Sequence, residues 1–354
     1  MTTIWSAARE GCSGGLVSRF SVSRFSVSRF SVSLSQTGAW LALAVLGAAC
    51  SESPAQPSTV VAATPPSCAD LPKTCGALGA GDCCENLPVP GGSFLRNNDA
   101  ALPASVSGFR LDKYEVSVGR FRKFVSEFVA WRAAGNPSVG FGQHPLIPKS
   151  GWVADWTQFL PENAERFGLA LRCDRQSQTW TAQPGANETR PINCVNWYEA
   201  FAFCAWDGGR LPTLGEWNFA AAAGAEQREY PWSVPATDTT ITPDYASYYS
   251  MGDCWSDGQP GCGLSDFLNV GSKPLGDGKY GQADLAGNVR EWALDWARAF
   301  PMPCNDCANL ESGELRVLRG GAWNNVADLV KSSAILEDYP ANHYFVIGLR
   351  CARN

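Results

Sequence analysis

Histidine is nearly missing from this chain: 354 residues contain two, His144 and His343. That scarcity excludes most zinc patterns that combine cysteine with histidine, and it leaves a serine, histidine and aspartate triad without a nucleophile-elbow motif to sit in. Both histidines read as isolated surface or packing residues. Positive charge is short as well. Lys and Arg number 28 against 34 Asp and Glu, and setting aside Arg9, Arg19, Arg24, Arg29 and Glu10 of the first 49 residues leaves 24 basic against 33 acidic side chains, a balance of −9. Such a surface repels phosphate backbones, so nucleic acid is not an expected partner. The apolar run Trp40 to Leu46 is too short to span a bilayer with its polar flanks.

Hydrophobic residues make up 45% of the chain, enough for the core of one large domain or two ordinary ones. With 35 Gly, 23 Pro and 14 Trp, the balance argues for a loop-rich, irregular architecture and against helical bundles and solenoids. Fourteen cysteines would be unusual in a reducing cytosol, so disulfides and export are the favoured reading.

The N-terminus agrees with export. Arginines precede Trp40 to Leu46, and Gly47-Ala48-Ala49-Cys50 follows. This resembles a bacterial lipoprotein signal in which Cys50 becomes the lipidated first residue, although Gly47 stands where Leu is usual and ordinary signal-peptidase cleavage nearby is the alternative. The expected organisation is a signal peptide over 1–49 containing a threefold Val-Ser-Arg-Phe-Ser pentad, a Pro/Ser/Ala tether over 50–67, a small Cys-rich segment over 68–88, and a main domain over 89–354. The chain would sit in the bacterial cell envelope, touching the membrane only through its lipid anchor. Cys68, Cys75, Cys83 and Cys84 would staple their short segment, with a pairing that spacing cannot specify.

In the main domain, Val89 to Leu95 and Phe109 to Val116 read as strands. A helix follows from Ser117, its N-cap, to about Trp131, with Phe121, Phe124, Val125, Phe128 and Val129 on one buried face. A second begins at Asn196 with Glu199 three residues on and ends by Gly208-Gly209; a third runs from Thr213, a T-x-x-E capping box with Glu216, to Ala223. Beyond residue 224 turns dominate. Gly276 to Gly281 spells G-x-G-x-x-G, but Lys273-Pro274 before it and turns after it make it a loop.

Five motifs occur in order: Val195 to Trp206 (VNWYEAFAFCAW), Arg210 to Trp217 (RLPTLGEW), Gly287 to Trp292 (GNVREW), Arg319 to Trp323 (RGGAW) and Gly348 to Arg353 (GLRCAR). Together they resemble the formylglycine-generating enzyme family, also called sulfatase-modifying factors, from about Val89 to Arg353. The resemblance implies an α+β, C-type-lectin-like fold with little regular secondary structure, stabilised by disulfides. It also implies a bridge between Cys204 and Cys351. Local spacing makes Cys173 with Cys194, Cys254 with Cys262, and Cys304 with Cys307 the simplest further bridges. Cys304-x-x-Cys307 is alternatively redox-active, or joins Cys254 and Cys262 in a four-thiolate zinc site.

The resemblance implies a structural calcium ion at Asp284 and Glu291 through side chains and at Gly287 and Val289 through carbonyls, the hard oxygen set that this ion requires. A second family calcium site, upstream, has no acidic counterpart. In catalytic members two cysteines after the RGG motif bind copper and activate oxygen; here those places hold Asn325 and Val330. Copper is therefore not expected, since a soft monovalent ion wants sulfur. A related branch with a His-rich iron site needs more than His144 and His343. No catalytic residue is assigned. The expectation is a ligand-binding groove at Arg290, Trp323, Asn324 and Asn325, taking a peptide, protein or glycan. Arg290, where the family usually has an aromatic, would meet a carboxylate or sulfate or else simply face solvent. The rivals are an oxidase-type enzyme with a rearranged site, acting on sulfatases or another substrate, and a purely structural envelope component.

Overall fold

The computed structural model describes residues 64–354; the expected signal peptide, Cys50 and most of the tether lie outside them. Four helices and four small sheets are joined by long irregular segments. Helix α1 (Val118–Ala133) starts where Ser117 accepts from the Arg120 amide, and it buries Phe121, Phe124, Val125 and Phe128. Val129, expected on that face, is 52% exposed. Its position is about a quarter-turn from the centre of the stripe, on the solvent shoulder. The three phenylalanines meet Phe167 of α2 (Ala164–Ala170) edge to face, with centroids 4.8–5.7 Å apart, the arrangement favoured by the ring quadrupole. Helix α2 had not been expected; its N-cap, Asn163, accepts from Arg166.

Helices α3 (Trp197–Trp206) and α4 (Leu214–Ala221) both open with capping boxes, Asn196 with Glu199 and Thr213 with Glu216. Every residue of α3 is buried, so the helix forms the centre of the core and packs Phe203 against Phe121. Helix α4 stops at Ala221, two residues short of expectation, as Ala223 turns left-handed with φ 57°.

The segment read as one strand over Val89 to Leu95 is two strands, Asn86–Val89 and Gly92–Leu95. Gly91 breaks it: φ is +73°, and a Cβ there would lie 2.5 Å from the Val106 carbonyl oxygen. The first strand pairs with Phe109–Asp112, itself four residues shorter than expected, and Ala352–Arg353 completes that sheet. The second pairs with Pro103–Val106, which carries Cys304–Asn305 on its far edge. A four-stranded sheet runs Leu336–Asp338, Arg316–Arg319, Arg290–Trp296, Ile347–Gly348, and this sheet carries three of the five motifs toward one another.

Six disulfides hold the irregular parts: Cys68–Cys84, Cys75–Cys83, Cys173–Cys194, Cys204–Cys351, Cys254–Cys262 and Cys304–Cys307. The first two are the pairings that spacing left open. No thiol is left over for a four-thiolate zinc site among the described residues. So many bridges belong to an oxidising, extracellular environment. Among the described residues no helix is long and apolar enough to cross a membrane. A largely buried network fastens the start of the described chain to the core. Arg120 bridges Asp112 (2.8 Å) and Asp207 (2.6 Å), Arg353 pairs with the same two carboxylates, and the Ser67 amide donates to Asp207.

Candidate functional site

The Asp284 to Glu291 turn is forced by sterics. Asp284, Gly287 and Asn288 all have positive φ, and a Cβ on Gly287 would fall 2.0 Å from the Ser247 carbonyl oxygen. The turn is clasped by Glu115, whose two oxygens accept from the Val289 amide (3.0 Å) and the Asn288 side-chain amide (2.6 Å). Sequence gave no hint of Glu115, which lies more than 170 positions upstream of the amides that it binds.

At the end of the turn, Glu291 receives Arg350 at 2.7–2.9 Å through both carboxylate oxygens and the Trp217 indole N–H at 2.7 Å. The remaining N–H groups of Arg350 go to the carbonyls of Asp112, Lys113 and Ala283. Arg350 belongs to the last of the five motifs, so its importance was signalled although its partner was not. Carboxylates outnumber this one guanidinium. Burial pushes Glu115 well above the ordinary carboxylate range, with Asp284 and Glu291 adding to the rise, and burial pushes Asp284 up to about 6 despite the Gly271 amide that it accepts. The Asp284 and Glu291 carboxylates with the Gly287 and Val289 carbonyls are hard oxygens of the kind calcium takes. Both Glu291 oxygens, however, are already engaged by Arg350 and Trp217, and no group of three or more acidic, His or Cys side chains is placed to hold a metal among the described residues. Glu291 would have to share such an ion with Arg350.

The loop after Gly320-Gly321 is of another kind. Gly321 has φ +68°, and an added Cβ would lie 2.6 Å from Val330. Val330 is fully buried among Tyr230, Ala246, Tyr248 and Ala286. Asn325 is 7% exposed, and its side-chain oxygen accepts from the Ala322 amide (3.0 Å) and from Arg290 Nε (3.1 Å). Its role is to close the loop and orient Arg290. Trp323 is buried against Phe267 and Phe345, and its amide donates to the Asn288 carbonyl at 3.1 Å, joining the loop to the acidic turn. The Trp323 indole N–H and the Asn324 side-chain oxygen are buried without a partner. Arg290 forms no ion pair among the described residues, and burial lowers its pKa while Tyr344 and Asp338 oppose that. The structure thus brings Arg290 and Asn325 into contact and places Trp323 and Asn324 in the same loop.

Neither histidine is isolated. His144 is buried 3.3 Å from Glu216, and His343 lies 3.0 Å from Glu199, which raises its pKa against the effect of burial. Each pairs with the carboxylate of a capping box, so both serve the helix starts.

Comparison with known proteins places these features in context. Residues 76–354 match the family model of the sulfatase-modifying factor enzyme 1-like domain. An inactive C-alpha-formylglycine-generating enzyme 2 of Bos taurus is 27% identical over 293 residues, spanning 78% of this chain and 90% of the relative. A formylglycine-generating enzyme of Thermomonospora curvata is 26% identical over 308 residues, spanning 75% and 92%. Among solved structures, PvdO from Pseudomonas aeruginosa aligns with a TM-score of 0.50 at 20% identity over 80% of this chain and 99% of that one, a likeness of fold.

Proposed function

Because the chain belongs to the sulfatase-modifying factor family, we propose that it is an exported, lipid-anchored member in which the oxygen-activating centre has become a binding site. One observation carries this reading. The two places that hold copper-binding cysteines in catalytic members hold Asn325, whose oxygen is engaged within the loop, and Val330, which is core. All twelve cysteines of residues 64–354 are in disulfides, so these residues offer copper(I) no thiolate. The donors that remain do not fit that ion.

What remains suits an anionic group. Asn325 fixes the Nε edge of Arg290 and leaves the other guanidinium nitrogens for a carboxylate or sulfate. The ligand is a peptide, protein or glycan bearing such a group. Calcium would be held by the Asp284 and Glu291 side chains with the Gly287 and Val289 carbonyls, and when bound it would neutralise the surplus charge and pin the turn. A chelator is then expected to lower the thermal midpoint and added calcium to restore it.

The test combines two measurements on the purified exported chain. Under denaturing, non-reducing conditions residues 64–354 should release no free thiol, and a cysteine peptide incubated with protein and copper(I) should keep its mass. On arrays of sulfated glycans and acidic peptides, specific retention should vanish in Arg290→Glu. Oxidation of the peptide would return the enzyme, and retention indifferent to Arg290 would remove the groove.

A further inference from the structure

The Cys304–Cys307 bridge lies outside the site above. It closes the shortest loop of the six, with a separation of 3 residues against 8 to 147 for the others. In the chain-entropy account it therefore restrains the unfolded chain least, and opening it costs the fold least. Cys304 is in an edge strand, buried on the wall of a cavity of about 530 Å³ lined also by Phe94, Leu95, Ala104, Met302 and Pro303. Cys307 is partly exposed.

Beside Cys307 stands an unexplained cation. Arg96 is 1% exposed and forms no ion pair among the described residues. One terminal nitrogen lies 3.7 Å from Cys307 Sγ, the other donates to the Pro301 carbonyl and meets Met302 Sδ (both 2.9 Å), the guanidinium lies 5.2 Å over the Phe300 ring, and Nε is buried without a partner. Asp295 acts on it through space, but no carboxylate touches it, and a buried guanidinium without a contacting anion is costly. The nearby Asp306 does not supply one, since its carboxylate is turned to the Ser107 amide and hydroxyl at 2.6–2.7 Å. A thiolate at Cys307 would. Reduction of this bridge places a contacting anion against Arg96, which stabilises the dithiol and makes the disulfide an oxidant.

We propose that Cys304–Cys307 is a thiol–disulfide exchange site for extended polypeptides carrying two cysteines, with Arg96 as the group that stabilises the Cys307 thiolate. A substrate thiolate attacks Cys307 Sγ, the bond to Cys304 breaks, and Cys304 leaves as a thiolate that takes a proton from water. The second substrate thiolate attacks the substrate sulfur of the mixed disulfide, and Cys307 leaves as a thiolate beside Arg96. The polypeptide dithiol loses two electrons and becomes a disulfide; Cys304–Cys307 gains them. Run in reverse with a polypeptide disulfide, the same steps restore the bridge. The apolar cavity receives the side chains flanking the substrate cysteine.

The whole exported chain is equilibrated in glutathione buffers of graded oxidised-to-reduced ratio, quenched in acid, alkylated, and read bridge by bridge by mass spectrometry. Cys304–Cys307 should open in buffers that leave Cys204–Cys351 closed, and Arg96→Gln should move its opening about 10-fold toward more reducing ratios. Cys304→Ser, which retains Arg96, should react with iodoacetamide at pH 7 faster than a free cysteine peptide and trap a two-cysteine test peptide as a mixed disulfide. Opening together with or after the other bridges, or a Cys304→Ser thiol no more reactive than the free peptide, would overturn the proposal whether or not Arg96→Gln folds.

Discussion

The acidic turn at Asp284 to Glu291 and the loop from Gly321 to Val330 are joined by the backbone hydrogen bond from Trp323 to Asn288 and by Arg290 on Asn325, yet they treat charge in opposite ways. In the turn every N–H of Arg350 and both oxygens of Glu291 are engaged, and Glu115 is spent on two amides. Where the turn reaches the loop, Arg290 has one edge fixed by Asn325 and no contacting carboxylate. Saturated polar groups hold a shape; unsaturated ones are what an incoming ligand satisfies. The difference assigns stability to the turn and leaves Arg290 as the group that the proposed ligand would engage, although both regions come from motifs of one family.

Breaking the turn should cost the most. Glu291→Gln strands Arg350 in the core, and the expected loss is about 3–5 kcal/mol in urea unfolding. A loss under about 1 kcal/mol would mean that the three carbonyls alone satisfy Arg350, and the contrast with the loop would fail. Saturated charge elsewhere should behave alike under acid. Burial alone would raise Glu216, but Arg210 and His144 hold it down to about 2 from an ordinary 4.5. The folded pKa lies below the unfolded one, so its contribution is complete above pH 4.5 and is lost as pH falls toward 2. That window should remove roughly 3 kcal/mol, and Glu216→Gln should flatten it in a pH series of unfolding midpoints.

Within the loop the effects should be smaller. Asn325→Ala leaves the Ala322 amide and Arg290 Nε unpaired, with an expected loss of about 1–3 kcal/mol. Asn325→Asp keeps an acceptor for both and should lose less, which separates hydrogen bonding from side-chain packing.

These two regions also mark what the residues alone could reveal. The helix starts were legible because Ser117, Asn196 and Thr213 act within three or four residues of themselves, and local chemistry is written locally. So was the lack of cysteine at residues 325 and 330, the identities on which the expectation of no copper rests. The turn's carboxylates were legible as letters, but Glu115 and Arg350 reach the turn from irregular segments 174 and 59 positions away, and no spacing encodes such contacts. Asn325 reads as a groove residue from its place after the RGG motif; that it braces Arg290 was not legible, because a short amide in a tight turn bonds its own backbone before it reaches solvent. The break at Gly91 was written in Pro90-Gly91-Gly92, a turn signal lost inside a run read as one strand.

The smallest expected change in stability is at Arg290, and it is the sharpest test of the contrast. Arg290→Ala removes one hydrogen bond to Asn325 but also relieves a half-buried cation that has no carboxylate partner. Those effects oppose each other, so the midpoint should move by less than about 1 kcal/mol. Binding should respond otherwise. If two guanidinium nitrogens grip a carboxylate or sulfate, Arg290→Lys keeps the charge and loses the fork, and affinity should fall about 10-fold or more even though net charge is unchanged. Equal affinity for lysine and arginine variants would reduce the site to a diffuse positive patch, and a large destabilisation by Arg290→Ala would move Arg290 to the structural side of the comparison. The two outcomes are read in one pair of experiments, thermal unfolding and retention on the anionic array, because only a recognition residue moves the second without the first.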